Sequence, residues 1–275
     1  MAANKTMRSC CWQLARLPGG PNFPGADLPN VTMVRTLGDC RRILANVTSG
    51  GSTPAIAEVS SQWRAAASLR GRGPSVDVVA PESHPFEKVF GRQLSDLIVD
   101  THARKGVRLH LGAKVKKIEG RLVILVAGDP IEADFGILGL GVEPRVQLAQ
   151  AAGLTLDRGV LVDARLRTSD QDIFAAGDIA RWPDPHSGES IRVEHWVVAE
   201  RQGQVAAAKM LGRDKVFAMA PFVWTKHFDL SIRYVGHAET WDETVVEGNL
   251  ANRDGLVRFR KVSLKVEMSM ETATV

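Results

Sequence analysis

The chain has 275 residues, of which 44% are hydrophobic and 24% are charged, as in an ordinary globular protein with room for two compact domains. The net charge is +4, but the basic residues are scattered and not interleaved with aromatic residues, so no nucleic-acid surface is expected. No apolar run reaches the length of a membrane span, so no membrane association is expected. The 3 cysteines form neither a metal-binding pattern nor a disulfide framework, which favours a reducing compartment, the cytoplasm.

The spacing of apolar residues, glycine and proline predicts helices and strands that alternate along the chain. Helices are expected at residues 35–44, 60–70, 91–105 and 194–211. Strands are expected at residues 76–82, 107–111, 114–118, 122–126, 136–140 and 173–176. From Pro221 onward the sequence turns to alternating β-type residues, which predicts a smaller domain at that end.

The most informative run is TSDQDIFAAGDIARW, a strand that ends at Gly177 and Asp178. Glycine lets a ligand approach the backbone, and a carboxylate at a strand end can accept hydrogen bonds from the ribityl hydroxyls of a flavin. The alternative is that Asp178 only caps the next turn. The residues alone leave these two interpretations level.

The run RVEHWVVAERQGQVAA opens a helix at Glu194, His195 and Trp196. Backbone N–H groups at such a helix start can stabilise negative charge on a reduced flavin. The alternative is an ordinary helix that packs through Trp196 and Val198.

Glu82 follows a predicted strand, at the place where an acid would hold the adenosine ribose hydroxyls of NADH. A solvated loop glutamate is the alternative. The run ILGLGVEP places Gly139 and Gly141 in a glycine-rich turn after another strand, a weak signal alone because many folds use such turns. The histidines do not have a metal-ligand spacing, so no metal site is expected.

Several runs in this order resemble one family: PGADLPNVTMVRTLGDCRRIL, VDVVAPESHPFEKVFGRQLSDLIVDTHARKG, ADFGILGLGVEPR, LVDARLRTSDQDIFAAGDIARWPDP, RVEHWVVAERQGQVAA and PFVWTKHFDLSIRYVGHAETWDE. The chain is similar to the FAD-dependent pyridine nucleotide-disulfide oxidoreductases. The closer match is their ferredoxin-reductase and apoptosis-inducing-factor-like branch, which includes proteins with a Rieske domain.

The resemblance implies an α/β fold, in which a Rossmann-like NAD domain is inserted in a partial FAD domain and a small α+β interface domain follows. It divides the chain into a remnant of the FAD domain at 1–37, the NAD(P)-binding domain at 38–142, a second FAD segment at 143–216 and the interface domain at 217–275. We therefore predict that residues 76–79 and 136–140 lie on parallel strands of one sheet. Residues 173–176 are predicted to lie on a parallel strand of a different sheet.

The resemblance also implies reduction of FAD by NAD(P)H and onward transfer of electrons to a small ferredoxin- or Rieske-type iron–sulfur acceptor. The chemistry belongs to the flavin, so no side chain is expected to be catalytic. The residues implied to contact FAD are Gly177, Asp178, Glu194, His195, Trp196 and Trp224. Those implied to face NAD(P)H are Glu82, Gly139 and Gly141.

The chain lacks three features of that family: the first strand with its GxGxxG motif for FAD, an Ala-Thr-Gly strand end before residue 24, and the GxGxxG motif for NADH before the helix at 60–70. Codons for residues 6–15, read one base earlier, can encode Asp-Ala-Leu-Val-Leu-Leu-Ala-Thr-Gly. Residues 58–64, shifted in the same direction, can encode Ser-Phe-Ile-Ala-Val-Glu. We hypothesise that both segments are out of frame, so that the acid-free opening is not a transit peptide and the activity is impaired. A non-catalytic interaction scaffold and an inactive product are the alternatives.

Overall fold

A computed structural model of the chain describes residues 10–12, 17–18, 23–47, 52–57, 60–139 and 141–261. Within these ranges the helices are α1 Leu37–Asn46, α2 Ser60–Arg70, α3 Glu87–Arg104, α4 Gln147–Ala151 and α5 Trp196–Met210. The strands are β1 Cys10–Trp12, β2 Leu17–Pro18, β3 Val31–Met33, β4 Ser52–Ala57, β5 Ser75–Ala80, β6 Val107–Leu111, β7 Val115–Glu119, β8 Leu122–Leu125, β9 Ile131–Glu132, β10 Gly136–Gly139, β11 Val142–Glu143, β12 Val160–Leu161, β13 Ile173–Ala175, β14 Ala180–Pro183, β15 Ser190–Ile191, β16 Phe222–His227, β17 Leu230–Val235, β18 Glu243–Asn249 and β19 Asp254–Arg260. Short 3₁₀ turns occur at Gly177–Ile179 and Leu250–Asn252.

The first half of the chain is built on a five-stranded sheet in the order β3-β10-β4-β5-β6, and all its pairings are parallel. β5 and β10 are mostly apolar and buried, as expected for strands of a sheet that is covered on both faces. β5 and β10 share this sheet, whereas β13 pairs in parallel with β1 elsewhere. The predicted separation of these strands into two sheets is therefore confirmed for the described residues, which exclude residue 140.

The two faces of this sheet have different covers. On one face, α2 and α3 enclose a core that includes Trp63, which is only 1% exposed and lies edge-on against Phe86 and His102. On the other face, the antiparallel sheet β7-β8-β9 packs through Ile118 and Val123. Trp63 belongs to the segment 58–64 that is hypothesised to be out of frame, and this core accommodates its side chain.

Helix α3 differs from its predicted start at residue 91. The helical turn from Glu87 to Phe90 precedes it, and Gly91 joins the two pieces with a φ of 72°, which is outside the helical region. A side chain on Gly91 would also meet the ring of Phe259 at 2.8 Å. Glycine is therefore required at this kink, both by its backbone angle and by the close contact.

The second half of the chain has its own core. The strands β12, β14 and β15 form one small sheet, and β13 with β1 forms another. Helices α4 and α5 pack on them through Ala149, Val198 and Val205. The pairing of β1 with β13 places part of the segment hypothesised to be out of frame, residues 10–12, in regular strand register. Residues 6–9, 13–15, 58 and 59 lie outside the described residues.

The C-terminal part forms two antiparallel hairpins, β16-β17 and β18-β19. Their inward residues Leu230, Ile232 and Phe259 join the same core as α2 and α3. Strand β3, which precedes the predicted boundary at residue 37, already pairs with β10. The three domain boundaries remain predictions, and residues 262–275 lie outside the described residues. In the part of the chain that is described, no helix is both long and apolar enough to cross a membrane.

Candidate cofactor sites

The first candidate site begins where β13 ends and the backbone turns at Gly177 and Asp178. Gly177 has a φ of 80°, a conformation that favours glycine, and its N–H donates to Oε1 of Gln202 over 2.7 Å. The carbonyl of Asp178 accepts from Nη1 of Arg192 over 3.1 Å. The cap position of this 3₁₀ turn is Ala176, and no side chain caps it. Asp178 does not occupy the cap position of this turn, and its binding of FAD stays a prediction.

The start of α5 lies next to this turn. His195 is the N-cap residue, in an extended conformation, and its side chain does not cap the helix. Its Nδ1 atom is buried and has no hydrogen-bond partner among the described residues. Burial, helped by the charge of Arg64, lowers the pKa of His195, and Asp178 opposes that shift. The imidazole is therefore neutral at physiological pH, with one ring nitrogen unsatisfied.

An aromatic cluster covers this helix start. The ring of Trp224, on β16, lies 5.3 Å from His195 and 5.9 Å from Trp196, edge-on to both. Trp196 is 61% exposed and Trp224 is 44% exposed, so these large apolar rings face solvent at the site. Of the two residues in the helix-packing alternative, Val198 packs inward and Trp196 does not. The family resemblance implied that Trp224, His195 and Trp196 all contact FAD; the three rings lie together, and their contact with FAD stays a prediction.

Glu194 is exposed and accepts a hydrogen bond from Nη1 of Arg192 over 3.2 Å. The same guanidinium group bonds to the Asp178 carbonyl, so Arg192 connects the turn to the start of α5. A Cβ on Gly159 would lie 2.8 Å from Cδ of Arg192, so a glycine makes room for this side chain. The sequence analysis did not identify Arg192 as a site residue. Its only sequence signal was a position two residues before Glu194.

Gln202 is the other residue that sequence reasoning missed. Its side chain is fully buried on α5, and while Oε1 bonds to Gly177, its Nε2 atom has no partner among the described residues. A buried amide donor without a partner is costly, so it calls for a ligand or a functional reason. The available signal was a glutamine among the alanines and valines of an otherwise apolar helix face.

The second candidate site lies at one edge of the five-stranded sheet. Because β10, β4 and β5 are neighbouring parallel strands, their carboxyl ends meet at the same edge, where dinucleotides bind in folds of this type. Gly139 is the last residue of β10, and Gly141 follows with a φ of 73°. Glu82 is exposed two residues after β5 ends. The structure thus brings the predicted NAD(P)H residues to one edge, while their contact with the nucleotide stays a prediction.

The space above Gly139 is occupied by Gln62 from the first turn of α2. A Cβ on Gly139 would lie 1.9 Å from Cγ of Gln62, so only glycine fits here. Gln62 is 4% exposed, and its Oε1 has no hydrogen-bond partner among the described residues. Sequence reasoning had attributed Gly139 to nucleotide contact and had not considered Gln62.

A third group of charged residues lies away from both sites. Asp77 is buried and accepts from Arg108 over 2.8 Å and from His110 over 2.9 Å. These residues line an open cavity of about 500 Å³, together with Arg121 and Asp134, which form an ion pair with each other. The charges are mutually paired, as in a structural network. Across the described ranges, no three histidine, cysteine or acidic residues are grouped so that they could hold a metal ion.

Comparison with known proteins gives a consistent family assignment. The family model described as pyridine nucleotide-disulphide oxidoreductase matches residues 15–203. The chain is 34% identical over 223 residues to the anthranilate 1,2-dioxygenase system ferredoxin–NAD(+) reductase component of Burkholderia cepacia, covering 79% of this chain and 55% of that protein. It is 32% identical to rhodocoxin reductase of Rhodococcus erythropolis, covering 82% of this chain and 54% of that protein. It thus spans about half the length of these two relatives.

Among solved structures, the covalent putidaredoxin reductase–putidaredoxin complex superposes with a TM-score of 0.85 at 25% identity, covering 90% of this chain and 62% of that chain. A ferredoxin reductase from Rhodopseudomonas palustris gives a TM-score of 0.86 at 29% identity, covering 94% of this chain and 64% of that chain. Both superpositions extend over most of the chain and agree with the α/β architecture described above.

Proposed function

Because this chain belongs to the pyridine nucleotide-disulphide oxidoreductase family, we propose that it derives from an NAD(P)H-dependent FAD flavoprotein reductase and keeps part of that function in impaired form. One observation carries the proposal: the turn at Gly177 and Asp178, the start of α5 and Trp224 converge from three separate segments on one place. Convergence of a strand end, an uncapped helix start and exposed aromatic rings suits a flavin better than a purely structural role.

The residues present fit FAD. Nδ1 of His195 and Nε2 of Gln202 are buried polar atoms without partners in the described structure, as expected where a bound group completes the hydrogen bonding. We assign the ribityl hydroxyls to the carboxylate of Asp178. The N–H groups at the start of α5 then offset negative charge on the flavin, and Trp196 and Trp224 exclude water from it.

When bound, FAD supplies hydride acceptance from NAD(P)H and release of single electrons. The protein groups bind and orient, and no side chain serves as a general base. Arg192 bonds to both the Asp178 turn and Glu194. It thereby positions the Asp178 carboxylate and the start of α5 to bind the same ligand. We assign NAD(P)H to the sheet edge with Glu82, Gly139 and Gly141, where Glu82 accepts hydrogen bonds from the ribose hydroxyls.

We assign the electron acceptor to a small iron–sulfur protein or domain of the ferredoxin or Rieske type. The support is that relatives carry the names of ferredoxin–NAD(+) reductase components, and that a matching structure is a complex with putidaredoxin. We place the protein in the cytoplasm, which its few and unpatterned cysteines favour. Fractionation of cells that express the native gene tests this location, and recovery in a membrane or secreted fraction would contradict it.

A non-catalytic scaffold is the second candidate, and one observation favours it. Gln62 occupies the sheet edge where a dinucleotide would approach, and the glycines that usually serve this approach are absent from the start of α2. An inactive product of a damaged reading frame is the third candidate.

The test is the absorption spectrum of the purified full chain, before and after incubation with FAD and gel filtration. Retained flavin that NADH bleaches under anaerobic conditions supports the reductase, and reduction of an added ferredoxin supports the acceptor class. Soluble protein that never retains flavin would refute the reductase and support the scaffold, whereas insoluble colourless protein supports the inactive product. Trp224→Ala is the informative variant. Trp241→Ala is its control, because Trp241 is a half-buried tryptophan that packs against Phe259 away from the site.

A further inference from the structure

We infer that the side chain of Gln62 acts as a plug in the dinucleotide crevice, so that this residue sets the nucleotide affinity of the chain. The inference rests on the proposed function, because it takes the edge formed by β10, β4 and β5 as the nucleotide site. It goes further in naming the residue that limits binding and the group that it displaces, the central part of a dinucleotide.

The position of Gln62 follows from the topology. Strand β4 lies between β10 and β5, and α2 begins at Ser60, three residues after β4 ends at Ala57. Gln62 is therefore in the first helical turn above the carboxyl end of the sheet. In parallel α/β sheets this space, between a helix start and the neighbouring strand end, is where a pyrophosphate binds.

The contact with Gly139 shows how completely the side chain fills this space. A Cβ on Gly139 would lie 1.9 Å from Cγ, 2.7 Å from Cδ and 3.0 Å from Nε2 of Gln62. The whole amide group thus lies along the backbone of the last residue of β10. A ligand that approached this backbone would have to take the place of the amide.

The amide is also poorly satisfied where it lies. Gln62 is only 4% exposed, and its buried Oε1 atom has no hydrogen-bond partner in the described part of the chain. A buried acceptor without a partner is unfavourable, so the amide is not fully satisfied where it lies. Such a side chain can be displaced by a ligand at a moderate cost, and its removal should leave usable space.

The experiment measures NADH binding to the purified full chain by nucleotide fluorescence and calorimetry. Gln62→Ala removes the plug, and Gln62→Met keeps its volume but removes the unsatisfied amide. Gln204→Ala is the matched control, because Gln204 is an exposed glutamine on α5. If the crevice is open in only a small fraction of molecules, removal of the plug tightens the apparent affinity for NADH about tenfold. Gln62→Met and Gln204→Ala should leave it unchanged.

Circular dichroism establishes that each variant is folded, and Gln62→Ser takes the place of Gln62→Ala if that variant fails to fold. Equal NADH affinity of the native chain and the folded small-residue variant would overturn the inference. Tighter binding by Gln62→Met as well would also overturn it, since volume would then not matter. The proposed function has a separate readout: if Gln62→Ala gains NADH affinity but retains no flavin, the plug is established and the reductase is refuted. Glu82→Ala in the Gln62→Ala background should reverse the gain, and an undiminished gain would place the nucleotide elsewhere and overturn the inference.

Discussion

Removal of the Asp178 carboxylate gives the most direct test of the flavin assignment. The turn that carries Asp178 is held through backbone groups: the N–H of Gly177 donates to Gln202, and the carbonyl of Asp178 accepts from Arg192. Both bonds use backbone atoms of the turn, which Asp178→Ala retains. The variant therefore tests the contribution of the carboxylate to FAD affinity.

The expected magnitude follows from the exposure of the residue. A hydrogen bond to a charged group contributes about 1.5–3 kcal/mol, and the half-buried position of Asp178 puts the expected loss near the lower end. A loss of about 1.5–2 kcal/mol corresponds to a rise in the Kd for FAD of roughly 10- to 30-fold. Asp178→Asn keeps an acceptor oxygen and should lose less. Glu82→Ala belongs to the other site and should leave FAD affinity unchanged.

The assay is titration of FAD into each purified variant, followed by quenching of flavin fluorescence and by the protein's own tryptophan emission. Trp196 and Trp224 lie at the site and provide the second signal. Equal affinity of Asp178→Ala and Glu82→Ala for FAD would refute the assignment of the ribityl chain to Asp178.

Three further outcomes follow from the structure. The chain should not bind NADH with micromolar affinity, because several charge-assisted bonds to the pyrophosphate, each about 1.5–3 kcal/mol, are missing. A version with residues 6–15 and 58–64 in the alternative frame should bind NADH, and calorimetry compares the two proteins. Asp77→Asn should lower the free energy of urea unfolding at pH 7 by about 2 kcal/mol, since it leaves Arg108, whose side chain is 54% exposed, without its buried partner. Burial raises the pKa of Asp77, but the hydrogen bonds from Arg108 and His110 outweigh burial and lower it. The stabilisation is therefore present above the pKa of the unfolded state and is lost as the pH falls through the pKa of the folded state. An unchanged pH dependence of the unfolding free energy in Asp77→Asn would contradict this. Burial, with the neighbouring His102, lowers the pKa of His227 to about 3. Its neutral form therefore stabilises the fold fully above about pH 6.5 and progressively less toward pH 3. His227→Leu should reduce this decline in the free energy of unfolding, as measured by urea titrations at several pH values.

The sequence alone determined several of the regular elements of the fold. The apolar run of β5 predicted a fully buried strand, since a strand covered on both faces requires apolar residues at successive positions. The glycine at residue 106 marked the end of α3, whereas the first turn of that helix, before Gly91, was not predicted. The prediction that β5 and β10 lie in a different sheet from β13 came from the family resemblance, which assigns the runs near Glu82 and Gly139 to one ligand and the run at Asp178 to another. The predictions of single helices and strands depend on local patterns, which can be recognised without knowledge of distant contacts.

The tertiary structure decided which side chains share a site and which fill space. Gln202 is adjacent to Gly177 only because α5 packs against the turn after β13, a contact between residues 25 positions apart in the chain. Gly139 requires glycine because Gln62 lies on it, and nothing near Gly139 in the sequence indicates that contact. Trp63 has an edge-on contact with His102 that no helix pattern predicts. Packing and hydrogen bonding depend on distances of a few ångströms between segments that are remote in the sequence. Sequence periodicity indicates only which side chains share a face of one helix or strand.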